Sequence, residues 1–202
     1  MWTADEILEF VRSAMGTVWY GLTARVWGVR VGAGCIFDGP THFKRYPTST
    51  VTIGANCRFR SSPRSNFIGL NRHCALSTHA KGAVIQVGRR CGFSGAVIAA
   101  RERIVLGEGV LCGANVTITD FDWHVVEPAR RHSRQSGESS PVEVGDNVWL
   151  GMNVLVLKGV TIGANTVIGA NSVVLSSLPP DSVAAGIPAH VVAPLSLHDP
   201  SH

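Results

Sequence analysis

Six aliphatic residues recur at every sixth position near the C-terminus, and four of them are followed directly by glycine. The six positions are Val144, Leu150, Val156, Ile162, Ile168 and Val174. A strand has a period of two and a helix a period of 3.6, so six residues fit one short strand followed by one turn. Three such units would close a triangular coil in which the aliphatic side chain points inward and Gly, Asn or Asp turns each corner. The pattern therefore predicts an all-β solenoid, a parallel β-helix of six-residue repeats.

Degenerate copies of the repeat extend upstream as far as residue 31. They are Val31-Gly32, Ile53-Gly54, Ile68-Gly69, Val87-Gly88, Leu106-Gly107 and Cys112-Gly113. Pro47 and Pro63 mark loops or bulges where the spacing slips. Residues 119–141, TDFDWHVVEPARRHSRQSGESSP, do not fit the repeat and are predicted to form an inserted loop. The segment PPDSVAAGIPAHVV is expected to leave the solenoid.

The N-terminal residues carry a helical pattern. Residues 3–18 place Ile7, Leu8 and Val11 on one apolar face, together with Ala4, Met15 and Val18. Thr3 and Glu6 form a capping-box pattern, and we expect Gly16 and Gly21 to end the helix. Because a solenoid has an open end, the helix should cap that end or pack at a subunit interface. The predicted organisation is a lead-in (1–30), a β-helix (31–192) and a tail (193–202).

Composition narrows the possible environments and ligands. The five cysteines are Cys35, Cys57, Cys74, Cys91 and Cys112, close to multiples of one coil apart, which predicts stacked, reduced thiols. A net charge of +4 favours an anionic ligand, but basic and aromatic residues are not interleaved as in a nucleic-acid surface. The sequence has neither an apolar run of membrane-spanning length nor a secretory signal pattern, so we expect a cytoplasmic protein without an integral membrane segment.

The repeats VTIGANTVIGANSVV, the insertion with TDFDWHVVEP, the following VGDNVWLG and the closing VAAGIPAHVV resemble the hexapeptide-repeat acyltransferases. The similarity is strongest to the maltose, galactoside and polysaccharide O-acetyltransferase branch and covers 104–192 best. The resemblance implies a left-handed β-helix, although parallel crossovers are normally right-handed. It also implies a homotrimer with acyl-CoA bound between neighbouring subunits.

The insertion carries the candidate chemistry. A hydroxyl attacks a thioester only after losing its proton, and histidine is suited to accept that proton near neutral pH. The resemblance assigns this role to His124, although Val125 stands where the family usually has proline. Asp122 or Glu127 would orient the second ring nitrogen, and a backbone carbonyl is the alternative. The resemblance implies direct transfer of an acetyl group to a sugar hydroxyl, in surface polysaccharide biosynthesis, without an acyl-enzyme.

The resemblance also marks contact residues for the two substrates. For acetyl-CoA they are Trp149, Met152, Ala170, Ser176, His190 and, as a substitute for missing basic residues, Lys158 or the cluster Arg130–Arg134. For the acceptor they are Ser94 and Asp120.

The sequence is also compatible with other functions on this scaffold. One is transfer to an amino sugar or amino acid. Another is a zinc site like that of γ-class carbonic anhydrases, although His73 and His79 are expected on different faces of the prism, where they would not converge on one metal. The third is a non-catalytic assembly protein. The sequence does not identify the sugar, its hydroxyl or the length of the acyl group.

Overall fold

The chain winds into a three-sided column of short parallel strands, preceded by one helix. The computed structural model describes residues 3–133 and 137–196. Helix α1 spans Ala4–Val26. Face A consists of β1 (Arg30–Val31), β4 (Thr50–Ile53), β7 (Val84–Val87), β10 (Arg103–Leu106), β13 (Val142–Val144) and β16 (Thr161–Ile162).

The two other faces follow in each turn of the column. Face B consists of β2 (Ile36–Asp38), β5 (Arg58–Arg60), β8 (Gly92–Ser94), β11 (Leu111–Ala114), β14 (Trp149–Leu150), β17 (Val167–Ile168), β19 (Ser182–Gly186) and β20 (Ala189–Pro194). Face C consists of β3 (Thr41–Lys44), β6 (Cys74–Thr78), β9 (Val97–Ala100), β12 (Thr117–Thr119), β15 (Leu155–Val156) and β18 (Val173–Val174). The chain runs A, B, C in every coil, so each strand pairs with its equivalent in the next coil.

The inward positions of the repeat form the core. All six aliphatic residues of the C-terminal repeat are at most 3% exposed. They stack in register along each face, as Leu150 does above Cys112 and below Ile168. Burying each such side chain contributes about 1.5–3 kcal/mol to the free energy of unfolding. The predicted β-solenoid is confirmed.

Asparagines occupy the left-handed corners, as the sequence predicts. Asn147, Asn153, Asn165 and Asn171 have φ between 56° and 61°, a conformation that asparagine tolerates better than most residues. Their side chains also bond to the next coil: Asn147 Nδ2 donates to Asn165 Oδ1 at 3.2 Å, and Asn153 Nδ2 to Asn171 Oδ1 at 3.0 Å. The corners are therefore joined by side-chain ladders as well as by strands.

Two expectations for the coils are wrong. Ile68 does not point inward; it is 64% exposed in the loop between β5 and β6, which also contains a 3-10 turn at Pro63–Ser65. The C-terminal segment does not leave the solenoid at once, because β19 pairs in parallel with β17. Only β20 breaks the pattern, by pairing antiparallel with β19.

Helix α1 is longer than predicted. The capping box is present, with Thr3 Oγ1 accepting the Glu6 N–H and the Glu6 carboxylate accepting the Thr3 N–H. The glycines do not end the helix, which continues to Val26. Gly16 lies against the edge of β2, where a Cβ atom would be 2.6 Å from the Phe37 carbonyl oxygen. Gly16 therefore permits close packing of the helix, and this outweighs its low helical propensity.

The helix caps the open end of the column with its small and polar side, not with its apolar side. Thr17 Oγ1 accepts the Phe37 N–H at 3.0 Å, and Ser13 Oγ donates to Asp38 Oδ1 at 2.6 Å, so edge groups of β2 are satisfied. The large apolar side chains face outward and are 43–87% exposed. They include Ile7, Leu8, Phe10, Val11, Met15, Val18, Trp19, Leu22 and Val26. No helix among the described residues is long and apolar enough to span a bilayer.

The five cysteines are buried and unpaired, as expected. Three of them line one corner, where the thiols of Cys35, Cys57 and Cys91 donate to carbonyl oxygens of neighbouring coils at 3.2 Å. Burial raises the pKa of Cys112 far above its ordinary value. Thiols in such surroundings act as small apolar core groups and are poor nucleophiles.

The two helix glycines form a matched pair for testing how α1 docks. We expect Gly16→Ala to lower the free energy of unfolding by about 1–3 kcal/mol, because its Cβ meets the Phe37 backbone. Gly21→Ala meets nothing within 4 Å and should raise it by about 0.5–1 kcal/mol through helix propensity. Urea denaturation followed by circular dichroism measures both. Equal stabilisation by the two substitutions would show that α1 does not pack on β2 through Gly16.

Candidate active site

The repeat is interrupted after β12, at the corner between faces C and A. Asp120, the first residue after β12, is fully buried. Its carboxylate accepts three backbone N–H groups of the preceding coil, at 2.6–2.9 Å, from Arg101, Glu102 and Arg103. Burial raises the pKa of Asp120, while these three donors act in the opposite direction. The carboxylate thus ties the start of the insert to the corner of the coil before it.

The two ends of the insert pair with each other. Phe121 and Ser139 form an antiparallel bridge, and the Asp122 N–H donates to the Glu138 carbonyl at 2.9 Å. The Gly137 N–H donates to the Asp122 carbonyl oxygen at 2.9 Å. At Gly137 a Cβ atom would lie 2.6 Å from the His124 carbonyl oxygen. The insert therefore leaves the column as a narrow two-stranded neck.

His124 follows this neck directly and lies in solvent. Its side chain is exposed, and no hydrogen bond to either ring nitrogen is present among residues 3–133 and 137–196. A neutral imidazole in this position can accept a proton from a substrate hydroxyl, because nothing in the described structure occupies its nitrogens.

Neither carboxylate predicted to orient His124 contacts it in the structure. Asp122 forms an ion pair with Lys158, from the next coil at the same corner, and Lys158 Nζ also lies 3.8 Å from Glu138 Oε2. Glu127 pairs instead with Arg130, at 3.6 Å. Asp122 thus ties the insert to the next coil, Glu127 pairs within the insert, and the orienting role of either one stays a prediction.

An aromatic cluster beside the neck was not foreseen. The ring of His79 lies 5.3 Å from that of Phe121 and 5.0 Å from that of Trp123, and Phe121 and Trp123 are 4.8 Å apart. The sequence pattern suggests His79 only as a zinc ligand. Phe121 and Trp123 are close in sequence, whereas His79 comes 42 residues before Phe121. The one signal for their contact is that the strands β6, β9 and β12, which precede them, are adjacent on face C.

The two histidines considered as zinc ligands were predicted to lie on different faces of the prism, and this prediction is wrong. His73 and His79 flank the same strand, β6, because an extended five-residue strand fills the spacing between them. Each has its own partners: His73 Nδ1 contacts the Ser61 carbonyl oxygen, and His79 Nε2 the Ser77 hydroxyl. Within the described residues no group of three or more His, Cys, Asp or Glu side chains converges as a metal site would require.

The residues predicted to contact CoA lie in three places on the column. Trp149 and His190 are exposed on face B. Met152 and Ala170 stack at the corner between faces B and C, where the Asn171 N–H donates to the Met152 carbonyl. Lys158 and Ser176 belong to the corner between faces C and A, on the same side as the insert. In a three-sided prism this last corner is opposite face B.

The acceptor candidates and the basic cluster are also separated. Ser94 is 6% exposed and its hydroxyl accepts the Asn66 amide at 3.1 Å, whereas Asp120 is fully engaged with backbone N–H groups. In the basic cluster, Arg131 donates to the Val126 carbonyl at 2.8 Å and Arg130 pairs with Glu127, so these two side chains brace the insert. Arg134 lies outside the described residues.

The family model for the bacterial transferase hexapeptide (six repeats) matches residues 141–176. These residues build β13 to β18, and their aliphatic positions form the stacked core described above. The chain is a hexapeptide-repeat protein.

Two curated relatives of this hexapeptide-repeat protein come from Escherichia coli K12. Galactoside O-acetyltransferase is 40% identical over 98 residues, which is 48% of this chain and 46% of the relative. A protein provisionally named lipopolysaccharide biosynthesis O-acetyl transferase WbbJ is 39% identical over 102 residues, 47% of this chain and 52% of the relative. The chain spans about half the length of these curated relatives.

A solved structure of galactoside acetyltransferase in complex with coenzyme A superposes with a TM-score of 0.55. It is 25% identical, and the match covers 88% of this chain and 70% of that one. The resemblance to hexapeptide-repeat acetyltransferases and the left-handed β-helix fold are thereby confirmed. The matched repeat of the family model contains Trp149, Met152, Lys158, Ala170 and Ser176 but not the insert, so it identifies the scaffold and leaves His124 to be tested.

The role of Asp120 in holding the insert can be measured directly. Asp120→Asn replaces one acceptor oxygen by an N–H₂ group that faces a backbone N–H. We expect the free energy of unfolding to fall by about 1–3 kcal/mol. Glu143→Gln is the control: Glu143 is half-exposed and pairs with Arg103 on face A, so its loss should cost at most about 1 kcal/mol. If both variants unfold at the same urea concentration as the wild type, Asp120 does not anchor the insert.

Proposed function

We propose that this hexapeptide-repeat protein is an acetyl-CoA-dependent O-acetyltransferase that acts on a sugar hydroxyl. The observation that carries the proposal is the exposed imidazole of His124, held on a braced neck where the repeat is interrupted. The stacked aliphatic side chains and turn residues of the column build the scaffold that carries this neck. The sequence similarity to acetyltransferases supports acetyl transfer as the class of reaction.

The proposed reaction needs one base and no covalent enzyme intermediate. Neutral His124 accepts the proton of the acceptor hydroxyl as its oxygen attacks the thioester carbonyl carbon. The new carbon–oxygen bond gives a tetrahedral intermediate, and the carbon–sulfur bond then breaks. The leaving CoA thiolate takes the proton from the imidazolium, so His124 is neutral again. The buried cysteines take no part, because none reaches the surface as a nucleophile.

Acceptor and donor assignments follow the relatives. A galactoside O-acetyltransferase and a provisionally named lipopolysaccharide O-acetyl transferase both point to a sugar hydroxyl, and the second supports a surface polysaccharide or its precursor. We assign Ser94 to the acceptor side and Trp149, Met152, Ala170, Ser176 and His190 to the donor side. The five unpaired cysteines fit a reducing compartment such as the cytoplasm.

The site is proposed to be shared between chains of a homotrimer. His124 is at the corner between faces C and A, while Trp149 and His190 are on face B on the opposite side of the prism. A ligand that touches both sets would have to lie between two chains. The outward apolar side of α1 and the half-exposed indole of Trp149 are surfaces that a single chain rarely leaves uncovered.

The base is tested by His124→Ala. We expect kcat with acetyl-CoA and a panel of sugar acceptors to fall about 10²–10⁴-fold, as for loss of a general base. His132→Ala removes another exposed histidine of the same insert and should leave kcat within about twofold, a difference too small to reflect lost chemistry. Release of CoA thiol, with amino sugars and amino acids in the panel, measures turnover and separates hydroxyl from amine acceptors.

Two results would contradict this assignment. One is wild-type turnover by His124→Ala. The other is an absence of thiol release with every acceptor together with no CoA binding in calorimetry, which would leave only the scaffold.

The shared site predicts complementation between inactive chains. His124→Ala and Trp149→Ala should each be strongly impaired alone. In trimers formed by co-expressing the two in equal amounts, about a quarter of the interfaces would pair an intact His124 with an intact Trp149. Light scattering should give three times the 21.5 kDa chain mass. Mixed trimers with no more activity than the separate variants would show that both residues serve the same chain, or different sites.

A further inference from the structure

We propose that His79 is a positioning residue: its imidazole is the surface on which Phe121 and Trp123 pack, and this packing holds the neck that presents His124. The inference rests on the proposed function, in which His124 is the base. His79 itself touches no predicted reacting group, so its role is exerted through the insert.

The first support is that His79 is itself fixed. Its backbone N–H donates to the Ala100 carbonyl at 2.8 Å, which locks the residue to the next coil. Its ring nitrogen Nε2 lies 2.8 Å from the Ser77 hydroxyl oxygen, on the same strand end. A ring held at both backbone and side chain is a rigid platform.

The second support is the direction of the contacts. Phe121 is 3% exposed and forms the base of the neck, whereas Trp123 is 54% exposed and immediately precedes His124. The Trp123 ring meets the His79 ring at 71°, edge to face, an arrangement that aromatic pairs favour. Lys158 is paired to Asp122 and Asp120 accepts three backbone N–H groups, so the packing on His79 is one of three anchors of the neck.

The surroundings of His79 make the packing dependent on pH. Burial lowers the pKa of His79 below its ordinary value, Lys44 and Arg101 lower it further, and Asp120 opposes them. The neutral ring therefore packs at neutral pH. The pKa of His79 is lower in the folded state than in the unfolded chain. The contribution of neutral His79 to the free energy of unfolding is therefore fully present above about pH 6.5 and is lost as the pH falls below that value.

The test uses the fluorescence of Trp123 as a reporter. Its emission is obtained by subtracting the spectrum of Trp123→Phe from that of the wild type. In His79→Ala the Trp123 emission should shift to longer wavelength, and backbone hydrogen exchange in residues 121–125 should become about tenfold faster. His79→Phe keeps an aromatic surface and should restore both readouts. It should also abolish the quenching of Trp123 that protonated His79 produces in the wild type when the pH is lowered through the depressed folded-state pKa of His79.

Turnover supplies the second arm. In His79→Ala kcat should fall about tenfold with little change in KM for acetyl-CoA, because the base is displaced while donor contacts remain. His79→Phe should recover most of kcat. His42→Ala is the matched control: His42 is an exposed histidine on the neighbouring strand of face C, and its ring contact is with His73. It should change neither kcat nor Trp123 emission.

The outcomes separate this inference from the proposed function. Unchanged Trp123 emission and hydrogen exchange in a folded His79→Ala, checked by thermal denaturation, would overturn it. The inference would also be overturned if His79→Ala showed the changed emission and faster exchange but kept the wild-type kcat, while His124→Ala was inactive. If His124→Ala retains full turnover, the proposed function fails, yet emission and exchange still decide whether His79 holds the insert. If His79→Ala does not fold, His79→Phe decides the question: a lost pH response with retained kcat supports the role, and an unchanged pH response overturns it.

Discussion

Everything in this molecule depends on one packing constraint: every sixth side chain must fit beneath its counterpart in the next coil. Interiors are close-packed, so the stacked positions accept only a narrow range of volumes, and the row from Cys112 through Leu150 to Ile168 shows the fit. The constraint fixes the strand register, and with it the side on which every outward residue appears. It also fixes where corners fall, which is why asparagine recurs there with positive φ.

The proposed function uses the place where the repeat is broken. The insert leaves the column at a corner, and the column holds it by three different interactions. Asp120 ties the start to the coil before through backbone N–H groups. Lys158 reaches Asp122 from the coil after, and His79 packs on Phe121 and Trp123. Between these anchors the His124 side chain is exposed, and its ring makes no hydrogen bond within residues 3–133 and 137–196.

The local sequence pattern predicts the column but not the side-chain contacts between residues of different coils. The inward residues, the asparagine corners, the buried cysteines and the capping box of α1 each follow from spacing or residue type within a few positions. The length of α1 does not, because Gly16 breaks helical propensity yet permits the approach to Phe37. Ile68-Gly69 imitates the repeat, but the loop after β5 takes it out of register. The ion pair of Asp122 with Lys158 joins residues 36 apart, and no local signal chooses Lys158 over the nearby arginines.

The outward apolar side of α1 has the same origin. Pattern alone identifies an apolar helix face and predicts that it will be covered, yet the column uses the small side of the helix, where Ser13, Gly16 and Thr17 satisfy and approach the edge of β2. The larger apolar face of α1 is left exposed on the single chain, in agreement with the homotrimer that we propose.

The central claim is that His124 meets the acyl donor at a boundary between chains. A crystal structure of the wild-type protein with acetyl-CoA bound tests it most directly. We expect CoA to lie between two chains, near Trp149 of one, with the His124 ring of the other facing the thioester carbonyl across a space for an acceptor hydroxyl. CoA bound within a single chain, or with its thioester remote from every His124, would refute the shared site.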